Sequence, residues 1–440
     1  MNLNGGTPKL YLRSLVSYSI RSLKLMVLKS KTISLSFKLF EKLIFRPASK
    51  VLLISGSDRK LIKRSFWAHS HHQADYEESK IQEIKFPNQN LVFALYLPQF
   101  QPLEINDRIW GEGFTEWTNV ATSRPLFHGH EQPIIPGKLG FYDLRNRETI
   151  REQVKMAKKA GLTGFIVMIY WFEDHSVMAE SLKDIAEVCS EEEFYFIFEW
   201  ANEPWTMKWD GLDKNVIENQ PKNFSHKSAW KLTTNISDFL KHPFYFKTDG
   251  RPVFFVYNPG YFENDAVKIL RDAFSEFKLD VYLVGMQTFG SNSPSILKLG
   301  YDETAEYFPH NMTSYTVPAH RKLLPATLDV SIESYPDSVR NVTNSMSRSG
   351  IPCCFPSWDN SPRRKYQGSN VFVDCSSEFF AVWFEDCINR SLDRSKSGSL
   401  NMVIVNAWNE WGEGAVLEPS RNSGYAYLNA LNRVLKQYEY

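Results

Sequence analysis

An apolar strand followed by an amphipathic helix recurs eight times between residue 90 and the C-terminus, and this serial order strongly constrains the fold. Consecutive parallel strands need helical crossovers, so the pattern predicts an α/β protein with a (β/α)8 TIM barrel over residues 89–440. The predicted strands cover residues 91–97, 164–172, 194–200, 252–257, 281–286, 303–308, 353–358 and 402–408. The predicted helices cover residues 148–160, 177–189, 228–240, 266–277, 295–299, 338–347, 378–389 and 425–438. The sixth unit is the least regular, because a long loop follows its strand.

The eighth strand runs into a motif that a structural core does not need, Trp408-Asn-Glu-Trp-Gly-Glu-Gly414. Residues three apart along a strand point to opposite faces, so Glu410 and Glu413 can share a pocket only if the chain turns between them. Gly412 and Gly414 permit such a turn, because glycine adopts backbone angles closed to other residues. Paired carboxylates beside indole rings suit a sugar site, where the acids move protons and the rings stack on the sugar. The alternative is a strand end with two solvated acids and two tryptophans at its rim.

Polar and aromatic residues cluster where the predicted strands end, which in a TIM barrel is the face that carries the active site. Such a set of rings, acids and amides predicts a saccharide-binding cleft. The candidate catalytic residues are Glu410 and Glu413. The candidate substrate-binding residues are Tyr96, Glu116, Trp117, Tyr170, Trp171, Trp200, Asn202, Glu203, Trp205, Trp209, Asp210, Glu306, Trp358, Asp359, Arg363, Trp408, Asn409 and Trp411. Four further acids of this set either touch the substrate or orient the glutamate pair, namely Glu116, Glu203, Glu306 and Asp359. Arg363 and its neighbour Arg364 either bind an anionic group or form a solvated pair.

Residues 1–88 differ in composition from the rest of the chain and form a basic N-terminal extension. From Lys9 to Arg64 the only acids are Glu41 and Asp58. Residues 33–45 mix apolar and basic side chains, as does a helix lying on an anionic membrane. A poorly ordered extension or a small helical cap on the barrel is the alternative. Membrane partitioning measured with and without residues 1–88 distinguishes the two.

The five cysteines form no Cys-x-x-Cys pair and mostly lie in apolar or helix-like segments, which indicates a reducing compartment. We therefore expect a cytoplasmic protein, either free or peripheral on the inner membrane. No apolar run is long enough to span a bilayer, and basic residues interrupt the first apolar stretch where a cleavable signal would be continuous. The net charge of +1 gives no general case for nucleic acid. The histidine clusters lack a full ligand set, so we expect neither a metal nor another cofactor.

Six blocks of the chain, taken in order, resemble the WbsX family. The blocks are Phe93-Ala-Leu-Tyr-Leu-Pro-Gln-Phe, Gly113-Phe-Thr-Glu-Trp-Thr-Asn-Val, Leu139-Gly-Phe-Tyr-Asp-Leu-Arg, Trp200-Ala-Asn-Glu, Trp358-Asp-Asn-Ser-Pro-Arg-Arg and Asn406-Ala-Trp-Asn-Glu-Trp-Gly-Glu-Gly-Ala-Val-Leu-Glu-Pro. Members of that family occur in bacterial gene clusters for lipopolysaccharide O-antigen and capsule, and are commonly labelled glycosyltransferases. The family is in turn similar to glycoside hydrolase family 99, the endo-α-mannosidases and endo-α-mannanases. From residue 91 onward the resemblance implies a carbohydrate-active barrel enzyme with an oligosaccharide or polysaccharide substrate.

The Glu-Trp-His-Glu motif of family 99 is similar to residues 410–413 of this chain. The resemblance implies that Glu410 deprotonates the sugar's 2-hydroxyl, which attacks the anomeric carbon. It also implies that Glu413 protonates the leaving oxygen and then activates the acceptor. Gly412 stands where the family 99 motif has histidine, which leaves the identity of the sugar open. Further departures from the WbsX pattern stand at Ile169, Pro204, Met207 and Lys208.

Two other functions remain open on the sequence alone. One is a glycosyltransferase with a nucleotide-linked or lipid-linked donor. This sequence has no Asp-x-Asp motif, no Gly-x-Gly-x-x-Gly turn and no doubly wound domain to hold a nucleotide, but a lipid-linked donor needs none of these. The other is a non-catalytic glycan-binding barrel, which would use the tryptophans but would have no use for both Glu410 and Glu413.

Overall fold

The computed structural model describes residues 91–177, 180–207, 212–312, 329–364 and 368–438. The predicted extension and the candidate site residues Trp209 and Asp210 lie outside the described residues. The strands, in chain order, are β1 (Leu91–Tyr96), β2 (Gly164–Phe172), β3 (His175–Val177), β4 (Tyr195–Trp200), β5 (Trp205–Met207), β6 (Leu212–Glu218), β7 (Lys247–Thr248), β8 (Arg251–Val256), β9 (Tyr282–Gln287), β10 (Glu303–Glu306), β11 (Val330–Ser334), β12 (Cys353–Cys354), β13 (Ser369–Val373), β14 (Met402–Val405), β15 (Asn409–Glu410) and β16 (Ala415–Val416).

Eight of these strands lie parallel in one sheet, in the order β10-β9-β8-β4-β2-β1-β14-β12. Strand β14, the last of these eight along the chain, pairs with β1 from Leu91 opposite Met402 onward. The two ends of the sheet meet where Ile351, just before β12, pairs with Ala305 of β10. There the Ile351 N–H donates to the carbonyl of Thr304 at 2.7 Å. This closure confirms the predicted TIM barrel, in which parallel strands that are apolar on both faces bury one face in the barrel interior and the other against the helices.

Helices connect the strands and cover the outside of the barrel. They are α1 (Glu104–Trp110), α2 (Trp117–Thr122), α3 (Arg147–Ala160), α4 (Glu180–Glu191), α5 (His226–Lys241), α6 (Ala266–Glu276), α7 (Ser293–Lys298), α8 (Tyr335–Thr343), α9 (Ser361–Arg364), α10 (Ser377–Ser395) and α11 (Ala426–Leu435). Helix α3 begins where the Asn146 side chain accepts from the Glu148 N–H at 3.1 Å, and it ends at Gly161 in the left-handed conformation. No helix in the described ranges is long and apolar enough to cross a membrane.

Short strand pairs lie outside the barrel sheet, in the segments that follow its strands. Strands β5 and β6 form an antiparallel pair, β11 and β13 a parallel pair, and β15 and β16 an antiparallel pair. They could not be predicted from the sequence, because strands of two to seven residues within polar segments show too little periodicity. These strand pairs give the segments that follow the barrel strands a defined position.

Candidate active site

A tight turn after β14 brings the two motif glutamates together. Glu410, in β15, pairs with Ala415 of β16, and the single-turn 3-10 helix Trp411–Glu413 connects the two strands. Gly414 ends this turn with φ +62°, a left-handed conformation that favours glycine. Glu410 is buried and Glu413 is partly exposed, and both line the same cavity.

The cavity lies among residues that follow the carboxyl ends of the barrel strands. Its volume is about 330 Å³, at the lower end of the roughly 300–1,000 Å³ typical of small-molecule sites. Its walls combine aromatic rings, carboxyl and amide groups, and two arginines. The lining residues are Gln99, Met168, Tyr170, Phe172, Ala201, Glu203, Pro204, Trp205, Thr206, Tyr257, Phe289, Tyr307, His310, Trp358, Asn360, Arg363, Arg364, Glu410 and Glu413.

Arg363 of α9 joins the two motif glutamates. Its Nη2 donates to Oε2 of Glu410 at 2.6 Å, and its Nη1 lies 2.7 Å from Oε1 of Glu413. The same guanidinium also donates to both carboxylate oxygens of Glu116, which accepts a further hydrogen bond from Gln99. One cation is thus shared by three carboxylates. The solvated interpretation is wrong for Arg363, since its guanidinium is mostly buried among these carboxylates. Anion binding at this cavity-lining residue stays a prediction.

Gly412 faces this ion cluster, and there is no room for a side chain on it. A Cβ at Gly412 would overlap the carboxyl group of Glu116 and lie 2.9 Å from Nε of Arg363. The place next to the glutamate pair is therefore occupied by a carboxylate from the start of α2.

Gly412→Ala is expected to lower the free energy of unfolding by about 1–3 kcal/mol, the usual cost of overpacking. The added methyl group must displace Glu116 from Arg363, and neither group can move without breaking an ion pair. The matched control is Gly260→Ala, whose added Cβ would meet only Ser291 Oγ at 3.6 Å, an ordinary contact. Denaturant unfolding of both variants measures the difference, and equal stability would contradict the packing described.

Burial raises the pKa of Glu410 well above its ordinary value. Arg363 opposes the shift, whereas the negative charges of Glu413 and Glu116 add to it. Because two carboxylates held this close resist ionising together, the pair retains a proton at a higher pH than an exposed glutamate would. A carboxyl group with a raised pKa beside a second carboxyl group is an arrangement that acid/base chemistry uses.

Aromatic rings form a wall of the cavity. Trp205 stacks on Phe172 with centroids 6.4 Å apart and an interplanar angle of 6°, and its centroid lies 5.7 Å from that of Tyr170. Tyr257 and Tyr307 meet edge to face at 5.2 Å. Within the described residues, the hydroxyl groups of these three tyrosines have no hydrogen-bond partner in the protein. Flat apolar faces combined with such hydroxyls suit the faces and hydroxyl groups of a sugar.

Several predicted substrate-binding residues lie behind the cavity wall, and the prediction is corrected for them. They are Tyr96, Trp117, Trp171, Trp200, Asn202, Glu306, Asp359, Trp408, Asn409 and Trp411. The rings are buried because they point to the helices or loops. The Tyr96 hydroxyl donates to Gln153 of α3 at 2.8 Å, and the Trp171 indole donates to Ser228 of α5 at 3.2 Å. The Trp200 indole donates to the carbonyl of Trp171, and that of Trp117 to the carbonyl of Tyr142.

The polar members of that set bind protein groups instead of facing the cavity. Glu306 accepts from Arg348, with distances of 2.6 and 2.9 Å, and from Arg390 of α10. Asp359 binds His130 at 2.8 Å, while its own N–H donates to the carbonyl of Glu413 at 2.6 Å. Asn202 exchanges hydrogen bonds with the backbone of residue 258, and Asn409 with that of residue 97. These side chains position the site from behind. Glu116 acts in the same way through Arg363, whereas Glu203, Trp205, Tyr170 and Trp358 line the cavity.

Glu418 is a buried carboxylate to which the sequence analysis assigned no role. It accepts hydrogen bonds from Gln153 at 2.6 Å, Trp411 at 2.7 Å, Trp408 at 2.9 Å and Tyr142 at 2.9 Å. Burial raises its pKa to about 7, against the lowering effect of these donors. Glu418 therefore fixes both indoles of the motif, and with them the backbone that carries Glu410.

Glu418→Ala is expected to lower the free energy of unfolding by about 3–5 kcal/mol, since it leaves several buried donors unpaired and opens a cavity. Asp272→Ala on the exposed side of α6 is the control, and should change stability by less than about 0.5 kcal/mol. Urea unfolding of the two variants measures both values. A loss below about 1 kcal/mol for Glu418→Ala would mean that the carboxylate does not anchor the motif.

Further cavity residues were missed although their positions gave a signal. Tyr257 and Tyr307 follow β8 and β10 directly, Gln99 follows β1, and Asn360 lies in the segment after β12. Each stands where a barrel strand ends, as the selected residues do. Only the direction of the side chain distinguishes the two groups.

Comparisons with known proteins agree with this architecture. The profile of the family described as "Glycosyltransferase WbsX" matches residues 92–431. Two curated relatives, both named WxcX and from two strains of Xanthomonas campestris pv. campestris, are 32% identical over 351 residues. The match covers 78% of this chain and 49% of each relative, so the chain spans about half the length of the curated relatives it matches.

Solved structures show the same fold. The GH99 endo-alpha-mannosidase from Bacteroides thetaiotaomicron, in complex with bis-tris-propane, superposes with a TM-score of 0.51 at 16% sequence identity, over 80% of this chain and 98% of that one. A glycoside hydrolase-like protein gives a TM-score of 0.51 at 16% identity, over 82% and 98% of the two chains. At this identity the likeness establishes the barrel architecture alone. The family profile and the curated relatives together show that this chain belongs to the WbsX glycosyltransferase family.

Proposed function

We propose that this protein is a carbohydrate-active enzyme that makes or breaks glycosidic bonds in bacterial surface polysaccharide, with Glu410 and Glu413 as its acid/base pair. The observation that carries the proposal is the ion cluster in which one guanidinium holds both motif glutamates at the wall of a cavity rich in tyrosine and tryptophan. Family membership and the barrel shared with a GH99 enzyme support the substrate class. Glycosidic chemistry needs two carboxyl groups of different protonation state. The raised pKa of Glu410 beside a second carboxyl group is consistent with a coupled pair that shares one proton.

In the first step Glu410 takes the proton of the sugar's 2-hydroxyl, and that oxygen forms a bond to the anomeric carbon. The bond from the anomeric carbon to the leaving oxygen breaks at the same time, and Glu413 gives its proton to that oxygen. The product is a 1,2-anhydro sugar. Glu410 must be ionised to act as the base. Burial raises its pKa overall and Arg363 opposes that rise, so the assignment requires the proton of this coupled pair to lie on Glu413 when the sugar is bound.

In the second step Glu413, now ionised, takes a proton from the acceptor, whose oxygen attacks the anomeric carbon. The bond to O2 opens, and Glu410 returns its proton to that oxygen. Each step inverts the anomeric centre, so the product keeps the configuration of the substrate. Water as acceptor gives hydrolysis, and a sugar hydroxyl gives transfer.

The family description favours transfer, so the donor is the first thing to test. Purified protein is incubated with the repeat-unit oligosaccharide of its host's surface polysaccharide, with and without nucleotide sugars, and the products are identified by mass spectrometry. The proposal expects product without any nucleotide. Strict dependence on a nucleotide sugar would replace it with a nucleotide-dependent transferase. Binding without turnover, equal in the wild type and in Glu410→Gln, would indicate a non-catalytic glycan-binding barrel.

A further inference from the structure

Glu199 of β4 points into the interior of the barrel. Its neighbours Phe198 and Trp200 point outward, where Phe198 packs on Phe239 of α5 and Trp200 packs on Phe262. Successive side chains of a strand alternate between faces, so Glu199 lies on the inner face. The carboxyl group is completely buried.

Within the described residues, neither carboxyl oxygen of Glu199 has a hydrogen-bond partner in the protein. Other buried carboxyl groups of this fold have hydrogen-bond donors around them, since Glu116, Glu306 and Glu418 each accept several hydrogen bonds. A buried polar group without a partner destabilises a protein. An apolar side chain of similar size would suit the barrel interior better, so stability does not explain a glutamate here.

Glu199 lies just beneath the floor of the cavity. On the adjacent strand its register partner is Met168, whose side chain lines the cavity. Ala201, two residues further along, also lines the cavity and leaves space because its side chain is small. On the other side the register partner is Phe255.

The titratable groups on which Glu199 acts include three tyrosines of the cavity. Glu199 interacts electrostatically with Tyr170 after Met168, with Tyr257 after Phe255, and with Tyr307 after β10. Glu410 acts on all three of these tyrosines as well. Burial raises the pKa of Glu199 to about 8, so the group is a neutral carboxylic acid at pH 7.

We propose that Glu199 is a positioning residue of the active site, a neutral acid that is bridged through water to the hydroxyl groups of the cavity tyrosines and orients them toward bound sugar. The inference rests on the proposed function of the same cavity. As a neutral acid Glu199 can both donate and accept, so it can order hydroxyl groups that have no other protein partner. Its ionisation would place a negative charge beneath the bound sugar and remove the donor.

Two substitutions separate this role from a structural one. Glu199→Gln keeps the shape and a donor but cannot ionise, whereas Glu199→Met fills the space with an apolar side chain like that of Met168. We expect Glu199→Met to unfold at a higher temperature than the wild type while kcat/KM falls by at least about tenfold. We expect Glu199→Gln to keep kcat/KM within about threefold at pH 7 and to lose the fall in activity that the wild type shows above about pH 8.

The pH dependence of protein stability is a second measurement, and it needs no substrate. The pKa in the folded state, about 8, exceeds the ordinary value of 4.5, so the folded protein binds this proton more tightly than the unfolded chain does. The contribution of Glu199 to stability is therefore complete below pH 4.5 and is lost as the pH rises toward 8. Buried Glu410 and Glu418 also have raised pKa values, and their contributions to stability are lost over the same range in both proteins. Thermal unfolding between pH 4 and 9 should therefore show a smaller loss in Glu199→Gln than in the wild type.

The kinetic measurements use the full chain and the repeat-unit oligosaccharide of the host's surface polysaccharide. Full activity of Glu199→Met, a fall above pH 8 that persists in Glu199→Gln, or loss of stability together with activity in Glu199→Met would each overturn the inference. If Glu410→Gln is inactive while Glu199→Met is fully active, this inference alone fails. If Glu410→Gln is as active as the wild type, the proposed function fails.

Discussion

Glu413→Gln and Glu410→Gln are each expected to lower kcat by about 10³-fold while leaving the protein folded. Each substitution keeps the volume of the side chain but removes the proton transfer on which one bond change depends. The measurement is steady-state turnover of the substrate found in the incubation experiment, with circular dichroism to verify the fold. Glu203→Gln is the control within the cavity, because Glu203 lines the same wall but is hydrogen-bonded to Asn258 at 2.8 Å rather than to Arg363. We expect it to change KM more than kcat.

A glycosyl fluoride of the transferred sugar distinguishes the two glutamates. Fluoride departs without a proton, so this substrate should restore much of the activity of Glu413→Gln. It should not rescue Glu410→Gln, because the 2-hydroxyl still has to lose its proton. The opposite pattern would exchange the two roles. Wild-type turnover by both variants would remove the catalytic assignment altogether.

Arg363→Met is expected to lower kcat/KM at pH 7 by about 10²-fold and to shift the acidic limb of its pH profile to higher pH. The guanidinium lowers the pKa of Glu410 against the effect of burial, so its removal raises that pKa further. A base with a higher pKa is ionised only at higher pH, and the limb moves in that direction. The variant also leaves Glu116, Glu410 and Glu413 close together without their shared cation, at a cost of about 3–5 kcal/mol.

Arg363→Lys is the companion variant, because it keeps the charge and loses the fork that reaches three carboxylates. We expect its acidic limb to lie between those of the wild type and Arg363→Met. Arg364→Met, at the adjacent cavity-lining position, should leave the limb in place. An unchanged limb in Arg363→Met, in a protein that thermal unfolding shows to be folded, would mean that Arg363 does not set the protonation of Glu410.

The barrel could be predicted from the sequence because each of its strands is a short apolar run followed by a helix with one apolar face. The sequence did not predict which side chains point into the barrel and which point out toward the helices. A strand that is buried on both sides shows no polar alternation, so nothing in Phe198-Glu-Trp200 tells which residue points inward. The indole of Trp200 was chosen as a sugar platform and lies outside the barrel sheet, while Glu199 and Ala201 face inward. For the same reason Glu306 was predicted to bind substrate but binds Arg348, whereas Tyr307, which was not selected, lines the cavity.

The glutamate pair could be selected from the sequence because two acids and two glycines within five residues are unusual after a buried strand. The groups that set its chemistry come from far along the chain. Glu116 and Arg363 are 247 residues apart, and the hydrogen bond from Gln153 to Glu418 joins positions 265 residues apart. Such contacts depend on how the loops at one face of the barrel meet, and no local pattern encodes them.

The stereochemistry of the first-formed product tests the acid/base assignment most directly. Proton NMR of the anomeric signal is recorded in the first minutes of the reaction, before mutarotation mixes the two anomers. The two-step use of Glu410 and Glu413 predicts a product with the same anomeric configuration as the substrate. A product of inverted configuration would show that a single displacement occurs, and would contradict the account.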